Sequence, residues 1–290
     1  MKPVRAVAVL PTLFTLGNLV CGFLAIVAAS RIEAPRMSEF VPAPKLETAR
    51  QLLDSADPTH NLMLCGALIF AAMLFDTFDG QLARFTRTTS DFGGQLDSLC
   101  DVVSFGVAPA FLLVKMCPQF SSVHREAVWT IAGLFVCCAA LRLARFNVET
   151  DERDDHGMFV GLPSPAAAAL IASSGMFSYT LRNEINFEKV IFTTYDYWLQ
   201  RLMPPFAVVL ALLMVSRIAY PHIITQLLRR KRTFPHMVAI VFVVMTLWTV
   251  RWYSIPFVCF LYAAYPLWRY AWLPFHQVKK LSPAPPGKAV

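Results

Sequence analysis

The sequence predicts an all-α polytopic membrane protein with about eight transmembrane helices. Apolar residues make up 56 % of its 290 residues and charged residues only 16 %, whereas soluble globular chains carry about 45–50 % and about 25 %. The charged residues are concentrated in short breaks between long apolar runs. So much apolar side chain cannot be buried in a soluble core of this size, which excludes an intrinsically disordered chain and an ordinary soluble enzyme.

Eight apolar runs are candidates for the membrane-spanning helices. Several are shorter than the ~20 residues that a span requires. We therefore expect polar residues, near Thr15 and Asp97 for example, to continue some helices inside the protein. The runs, in chain order, are Phe14–Ala29, Asn61–Phe75, Val102–Met116, Ala127–Ala144, Pro165–Tyr179, Met203–Ala219, Met237–Val250 and Ser254–Trp272.

The remaining segments complete the domain organisation. We expect residues 1–275 to form one integral-membrane domain with an extracytoplasmic insertion at 30–59, and residues 276–290 to form a disordered cytoplasmic tail. The first apolar run resembles a signal peptide, but it contains Pro11 and Asn18 and no small-residue cleavage motif follows it. This run is therefore expected to remain as a membrane helix.

The distribution of Lys and Arg predicts the orientation in the membrane. With eight spans, both termini lie on one side, and that side carries 16 of the 26 basic residues, including the run at 229–232. Cytoplasmic loops are enriched in basic residues, so both termini and segment 76–101 are expected in the cytoplasm, with the helices in the cell (inner) membrane. The net charge of +7 then reflects these loops and anionic lipids, and no nucleic-acid partner is expected.

Four aspartates occur at helical spacing in segment 76–101. Asp76 and Asp79 are three residues apart, and Asp97 and Asp101 are four residues apart, so each pair lies on one face of a helix. The stretch 84–94 between the pairs is polar and contains Gly, which allows a turn and an antiparallel arrangement. The sequence thus predicts an active site where four carboxylates converge, at the cytoplasmic ends of helices 2 and 3.

Four like charges in one site repel each other, and carboxylates within a membrane are costly and commonly functional. Divalent cations relieve the repulsion, and oxygen ligands without a His or Cys pattern favour Mg²⁺ or Mn²⁺. Two such ions suit phosphoryl transfer. Gly80 and Ala83 lack bulk, and Arg84 offers a planar fork to phosphate oxygens. A proton relay, a ring of charges in a cation channel and helix-capping carboxylates are the alternatives, although capping explains only one or two of the aspartates.

The full spacing, D-x2-D-G-x2-A-R-x8-G-x3-D-x3-D, resembles the signature of the CDP-alcohol phosphotransferase family. The resemblance implies a membrane-embedded enzyme that moves a phosphatidyl group from a CDP-linked lipid to an alcohol and releases CMP. It also implies that the enzyme is a homodimer. It also implies two divalent metal ions per site. The matching positions are Asp76, Asp79, Gly80, Ala83, Arg84, Gly93, Asp97 and Asp101.

The resemblance also implies roles for individual residues. Asp76, Asp79, Asp97 and Asp101 would bind the metal ions, and Asp101 would also accept the proton of the attacking alcohol. Contacts with the CDP-lipid are expected at Gly80, Ala83, Arg84, Ser90, Thr15 and Asn18.

Three further stretches resemble the phosphatidylserine synthase branch of the family. They are LPTLFTLGNLVCG at 10–22, RLARFN at 142–147 and FVGLPSP at 159–165. Thr12 stands where Asn is commoner in this branch. The resemblance implies transfer of the phosphatidyl group from CDP-diacylglycerol to the hydroxyl of L-serine.

Serine carries a carboxylate, which requires cationic or amide donors beside the metal ions. The candidates are Arg142, Arg145 and Asn147, although either arginine could instead be a cytoplasmic anchor. Two other functions stay open at this point. One is a sibling phosphatidyltransferase that uses glycerol 3-phosphate or inositol, and the other is a cation transporter with an acidic intramembrane site.

Overall fold

The computed structural model describes residues 9–32, 60–86, 91–150, 158–183, 189–221 and 254–272. These residues form helices and one short two-stranded ribbon. Predicted features outside the described residues include the insertion beyond residue 32, Ser90, the seventh apolar run, the basic run at 229–232 and the tail.

The elements form one continuous series along the chain. Helix α3 combines three consecutive segments, of which the middle one is a π-helix. The elements are α1 (Val9–Ser30), α2 (His60–Thr86), α3 (Asp91–Asp101, Val102–Val107 and Ala108–Met116), α4 (Pro118–Val123), α5 (Arg125–Thr150), β1 (Met158–Val160), α6 (Ser164–Asn183), α7 (Lys189–Val215), β2 (Ala219–Pro221) and α8 (Ser254–Trp272).

Five helices of the described ranges are long and apolar enough to cross a membrane, which confirms a polytopic helical protein. A shorter apolar stretch, Ile255–Pro266, lies in α8. The five candidate spans are Thr12–Ser30, His60–Leu82, Phe92–Met116, Arg125–Val148 and Tyr195–Val215.

Side chains on the outer faces of these helices are strongly apolar. Leu13, Phe23, Leu74 and Leu141 are 57–61 % exposed although each lies in a candidate span. Apolar side chains distributed around the helices are expected where the surrounding medium is hydrocarbon.

The sixth predicted span overlaps a helix of the structure but differs from it at both ends. The run Met203–Ala219 corresponds to helix α7, which begins earlier, at Lys189, and ends at Val215, while Ala219 belongs to strand β2. Hydropathy missed the start of this helix because its first half contains polar side chains that are buried against α6. The carboxylate of Asp196 accepts hydrogen bonds from Ser178 Oγ at 2.6 Å and from Gln200 Nε2 at 2.7 Å.

Small residues allow helix α1 to pack closely against α2 and α3. A Cβ atom at Gly22 would clash with Ser104 Oγ and lie 2.8 Å from Ser104 Cα, so only glycine fits this crossing. Against α2, the ring of Phe14 contacts Phe75 and Phe78, with centroids 6.1 and 6.2 Å apart. Membrane helices associate through such close packing because the hydrophobic effect between them is weak in lipid.

The ribbon ties the start of α6 to the end of α7. Strands β1 and β2 pair antiparallel, with Phe159 opposite Tyr220. Gly161, directly after β1, has φ of 85° and donates its N–H to Ile218 O at 2.8 Å. A Cβ atom there would clash with the backbone oxygen of Met214, so this position requires glycine. The strand pairing and this hydrogen bond fix the chain that leads into Ser164, the first residue of α6.

Candidate active site

Helices α2 and α3 bring the predicted carboxylates together. Helix α2 continues beyond the apolar run that ends at Phe75, and Asp76 therefore stays on the helix. Asp97 and Asp101 lie one turn apart on the first segment of α3. One carboxylate oxygen from each of these three aspartates lies within 4.8 Å of the others.

The fourth aspartate lies beside this group. Asp79 is 5 % exposed and interacts electrostatically with Asp97. The hydroxyl of Thr15, on α1, donates a hydrogen bond to the Asp79 carboxylate. The Oδ2 atom of Asp79 is buried and has no hydrogen-bond partner. An oxygen left without a donor in a dry site is costly unless a further group reaches it.

Asn18 of α1 contacts the last carboxylate of the group. Its Nδ2 atom donates a hydrogen bond of 3.0 Å to Asp101 Oδ1. Asn18 is fully buried, and its backbone carbonyl accepts a hydrogen bond of 3.0 Å from Ser104 Oγ, one turn after Asp101 on α3. Helix α1 thus supplies one hydrogen-bond donor to Asp79 and another to Asp101.

The four carboxylates, here called the Asp cluster (Asp76, Asp79, Asp97 and Asp101), have the chemistry of a divalent-cation site. The donors are oxygens only, as Mg²⁺ and Mn²⁺ prefer. Ligand oxygens of one Mg²⁺ ion are about 3–4 Å apart, given Mg–O distances of about 2.1 Å, so the 4.8 Å grouping needs little adjustment. Two buried oxygens, Asp79 Oδ2 and Asp97 Oδ1, lack hydrogen-bond partners, as expected of metal-ligand atoms.

Among the described side chains, Arg142 of α5 is a cation that lies beside the Asp cluster. Its guanidinium interacts electrostatically with Asp101 and Asp76, and with the phenol of Tyr262 on α8. Arg142 Nη1 donates a hydrogen bond of 2.7 Å to Ser164 Oγ, while its buried Nε atom has no partner. One guanidinium cannot balance four carboxylates, but its free N–H can bind a further anion.

The two other predicted serine ligands are on the same helix. Asn147 exchanges hydrogen bonds with Ser98, with Asn147 Nδ2 donating to Ser98 Oγ at 2.9 Å and Ser98 Oγ lying 3.2 Å from Asn147 Oδ1. This pair joins α5 to the turn that carries Asp97. Arg145 is half-buried.

The expected CDP-lipid positions are described to different extents. Gly80, the residue after Asp79, is exposed, and a Cβ atom at this position would meet nothing within 4 Å. Ala83 and Arg84 continue helix α2, with side chains outside the described part of the chain, and Ser90 lies wholly outside it.

Several contributors to the site carry no recognisable sequence signal. Ser98, Ser104 and Ser164 act through single hydroxyls, and serine is common in loops and helices of any function. Tyr262 lies more than a hundred residues from Arg142 in sequence, so only the packing of α8 brings them together.

Comparisons with known proteins identify the family of the chain. Residues 8–212 match the family model described as CDP-alcohol phosphatidyltransferase. A CDP-diacylglycerol–serine O-phosphatidyltransferase of Helicobacter pylori is 30 % identical over 221 residues, which cover 76 % of this chain and 75 % of the relative.

Two archaeal relatives share shorter regions with the chain. A CDP-diacylglycerol–serine O-phosphatidyltransferase of Methanocaldococcus jannaschii is 37 % identical over 155 residues, or 53 % of this chain and 62 % of the relative. An archaetidylserine synthase of Methanothermobacter thermautotrophicus is 43 % identical over 108 residues, or 37 % and 43 % of the two chains.

The Asp cluster predicts stabilisation by divalent cations. Saturating Mg²⁺ or Mn²⁺ should raise the melting temperature of the purified protein in detergent, because a ligand at 100 times its Kd stabilises the folded state by about 2.7 kcal/mol. Asp97→Asn should abolish most of this shift. Glu126→Gln, in the exposed first turn of α5, is the matched control and should keep it. Equal shifts in both variants would contradict a metal site at the Asp cluster.

Proposed function

The chain belongs to the CDP-alcohol phosphatidyltransferase family, and we propose that it transfers a phosphatidyl group from CDP-diacylglycerol to L-serine. The products are phosphatidylserine and CMP. The observation that carries this proposal is the convergence of Asp76, Asp97 and Asp101 within 4.8 Å, beside a half-buried arginine. This arrangement can hold a pyrophosphate through cations and a carboxylate through a guanidinium.

The Asp cluster would hold the divalent ions, Mg²⁺ or Mn²⁺, two per site. When bound, such ions neutralise the pyrophosphate and stabilise the charge that develops at the reacting phosphorus. The open space beside Gly80 supports the approach of the CDP group there. Ala83, Arg84 and Ser90 are proposed as further contacts with the CDP-lipid.

The transfer is an in-line substitution at the phosphorus that carries the diacylglycerol. The serine hydroxyl oxygen forms the new P–O bond, the P–O bond to CMP breaks, and the proton of the hydroxyl passes to a carboxylate. Asp101 is the proposed acceptor. A carboxylate is a weak base for an alcohol, so the proton is transferred late, as the new P–O bond forms.

The contacts favour Arg142 over Arg145 and Asn147 as the residue that binds the serine carboxylate. Arg142 faces the Asp cluster electrostatically and keeps a buried Nε–H without a partner. Its hydrogen bond to Ser164 holds the planar guanidinium in one orientation. Asn147 is engaged by Ser98, so we propose that it acts on the geometry of α3 rather than on serine.

The same proposal includes the orientation and the full number of spans. With eight helices and the basic loops in the cytoplasm, the Asp cluster lies at the cytoplasmic ends of α2 and α3, where serine and the CDP-lipid headgroup are accessible. The membrane is the cell (inner) membrane. We further propose one membrane domain, 1–275, with an insertion at 30–59 and a tail at 276–290, and assembly as a homodimer.

The decisive test of the activity is CMP release by the purified full chain. Release should require CDP-diacylglycerol, serine and a divalent cation, and should produce phosphatidylserine in equal amount. Asp97→Asn should retain less than about a tenth of the activity, a barrier increase of roughly 1.4 kcal/mol or more, whereas Glu126→Gln should be unaffected. Preference for glycerol 3-phosphate or inositol would indicate a sibling enzyme. Absence of CMP release together with cation uptake would indicate a transporter.

Replacement of the two arginines by lysine tests the serine subsite. Arg142→Lys keeps the charge but loses the planar fork, so the KM for serine should rise roughly tenfold, corresponding to about 1.4 kcal/mol, with a much smaller change for CDP-diacylglycerol. Arg145→Lys is the matched control and should change the serine KM less than about twofold. A larger effect of Arg145→Lys than of Arg142→Lys would transfer the role to Arg145.

Cysteine labelling tests the orientation. In a variant without the seven native cysteines, Ser38→Cys should react with an impermeant thiol reagent in intact cells, because segment 30–59 is proposed to lie outside. Ser90→Cys should react only after lysis, because its loop is proposed to be cytoplasmic. The reverse pattern would invert the orientation.

A further inference from the structure

We infer that Asn18 is a positioning residue that orients Asp101 for metal binding, rather than a ligand of the CDP-lipid. This inference rests on the metal site of the proposed function. It replaces the role that sequence resemblance suggested for Asn18, and it assigns to helix α1 a part in building the metal centre.

The side-chain amide of Asn18 is engaged by the carboxylate of Asp101. Its Nδ2 atom donates to Asp101 Oδ1 at 3.0 Å, which leaves Oδ2 of the same carboxylate for an ion. The side chain is 0 % exposed, so a substrate cannot reach it without displacement of the helices. The opposite orientation of the amide would place its oxygen against a carboxylate oxygen, which is repulsive.

The helix that carries Asn18 is held in place by contacts with Ser104. Ser104 Oγ donates a hydrogen bond to the Asn18 carbonyl at 3.0 Å. One turn later on α1, Gly22 permits contact with the backbone of Ser104. Both contacts join α1 to the π-helical segment that directly follows Asp101. Helix α1 therefore cannot move relative to Asp101 without breaking them.

Residues that hold metal ligands in place alter metal affinity although they do not touch the ion. Loss of such a partner commonly costs 10–100-fold in affinity or activity. Without Asn18, the Asp101 carboxylate can rotate about its side-chain torsions and turn away from the Asp cluster, which lowers the fraction of molecules with a preformed site.

The test is a titration of metal-stripped full-length protein in detergent with Mn²⁺, in which free Mn²⁺ is measured by electron paramagnetic resonance. Asn18→Ala should raise the Kd for Mn²⁺ at least tenfold. Asn61→Ala is the matched control, because Asn61 is also a buried asparagine, 6 % exposed, whose Nδ2 donates to a backbone carbonyl, Arg31 O, at 3.5 Å and away from the Asp cluster. Its Kd should stay within twofold of the wild type.

A second variant covers the case in which Asn18→Ala does not yield folded protein. Ser104→Ala removes only the hydroxyl that holds the Asn18 carbonyl, and it should raise the Kd about threefold or more while thermal unfolding stays cooperative. An unchanged Kd in folded Asn18→Ala, or in Ser104→Ala when the first variant does not fold, overturns the inference. An equal increase in Asn61→Ala also overturns it, because the effect is then one of general stability.

The result separates this inference from the proposed function. If the wild type binds Mn²⁺ and Asn18→Ala binds it equally well, the metal site stands and the role of Asn18 is wrong. If the wild type binds no Mn²⁺, both the metal site and the role of Asn18 are wrong.

Discussion

The concentration of four carboxylates between membrane helices is the constraint on which the rest of the site depends. Each ionised carboxylate away from water loses hydration, and each raises the cost of its neighbours. The described residues offset part of this cost with individual hydrogen-bond donors and one cation. Thr15 and Asn18 each donate one hydrogen bond to the Asp cluster, and Arg142 supplies one positive charge. These contributions fall short of four negative charges, and the shortfall is the physical basis for the divalent cations proposed above.

The helix packing follows from the same constraint. Donors on α1 reach the Asp cluster only if α1 lies very close to α2 and α3, and this closeness is possible only with small residues at the crossing points. Gly22 leaves no room for a Cβ atom beside Ser104. Core positions along α1 are likewise small, with Ala25 and Ala29 fully buried. The large side chains of α1 lie instead on its outer face, where Leu13, Val20 and Phe23 are 55–59 % exposed.

Much of the Asp cluster could be predicted from the sequence because helical periodicity is a local property. Spacings of three and four residues place Asp76 with Asp79, and Asp97 with Asp101, whatever the rest of the chain does. The position of α7 could not be predicted in the same way. Its polar residue Asp196 is satisfied by Ser178 from another helix, and hydropathy treats such a residue as exposed. The partners Ser98, Ser104 and Ser164 were missed for the same reason, since pairing between distant segments leaves no local pattern.

The charge balance explains why one arginine among the carboxylates is useful rather than merely tolerated. Four ionised aspartates and the Arg142 guanidinium give a formal charge of about −3, and two divalent cations would change it to about +1. A site with this charge would attract the pyrophosphate of a CDP-lipid and would not repel the carboxylate of serine. Without the charge of Arg142 the same site would be close to neutral, and the proposed serine subsite would lose the guanidinium that lies beside Asp101 and Asp76. In the proposed function, Arg142 would therefore act on the electrostatics of both substrates, and its hydrogen bond to Ser164 would hold the guanidinium beside the Asp cluster.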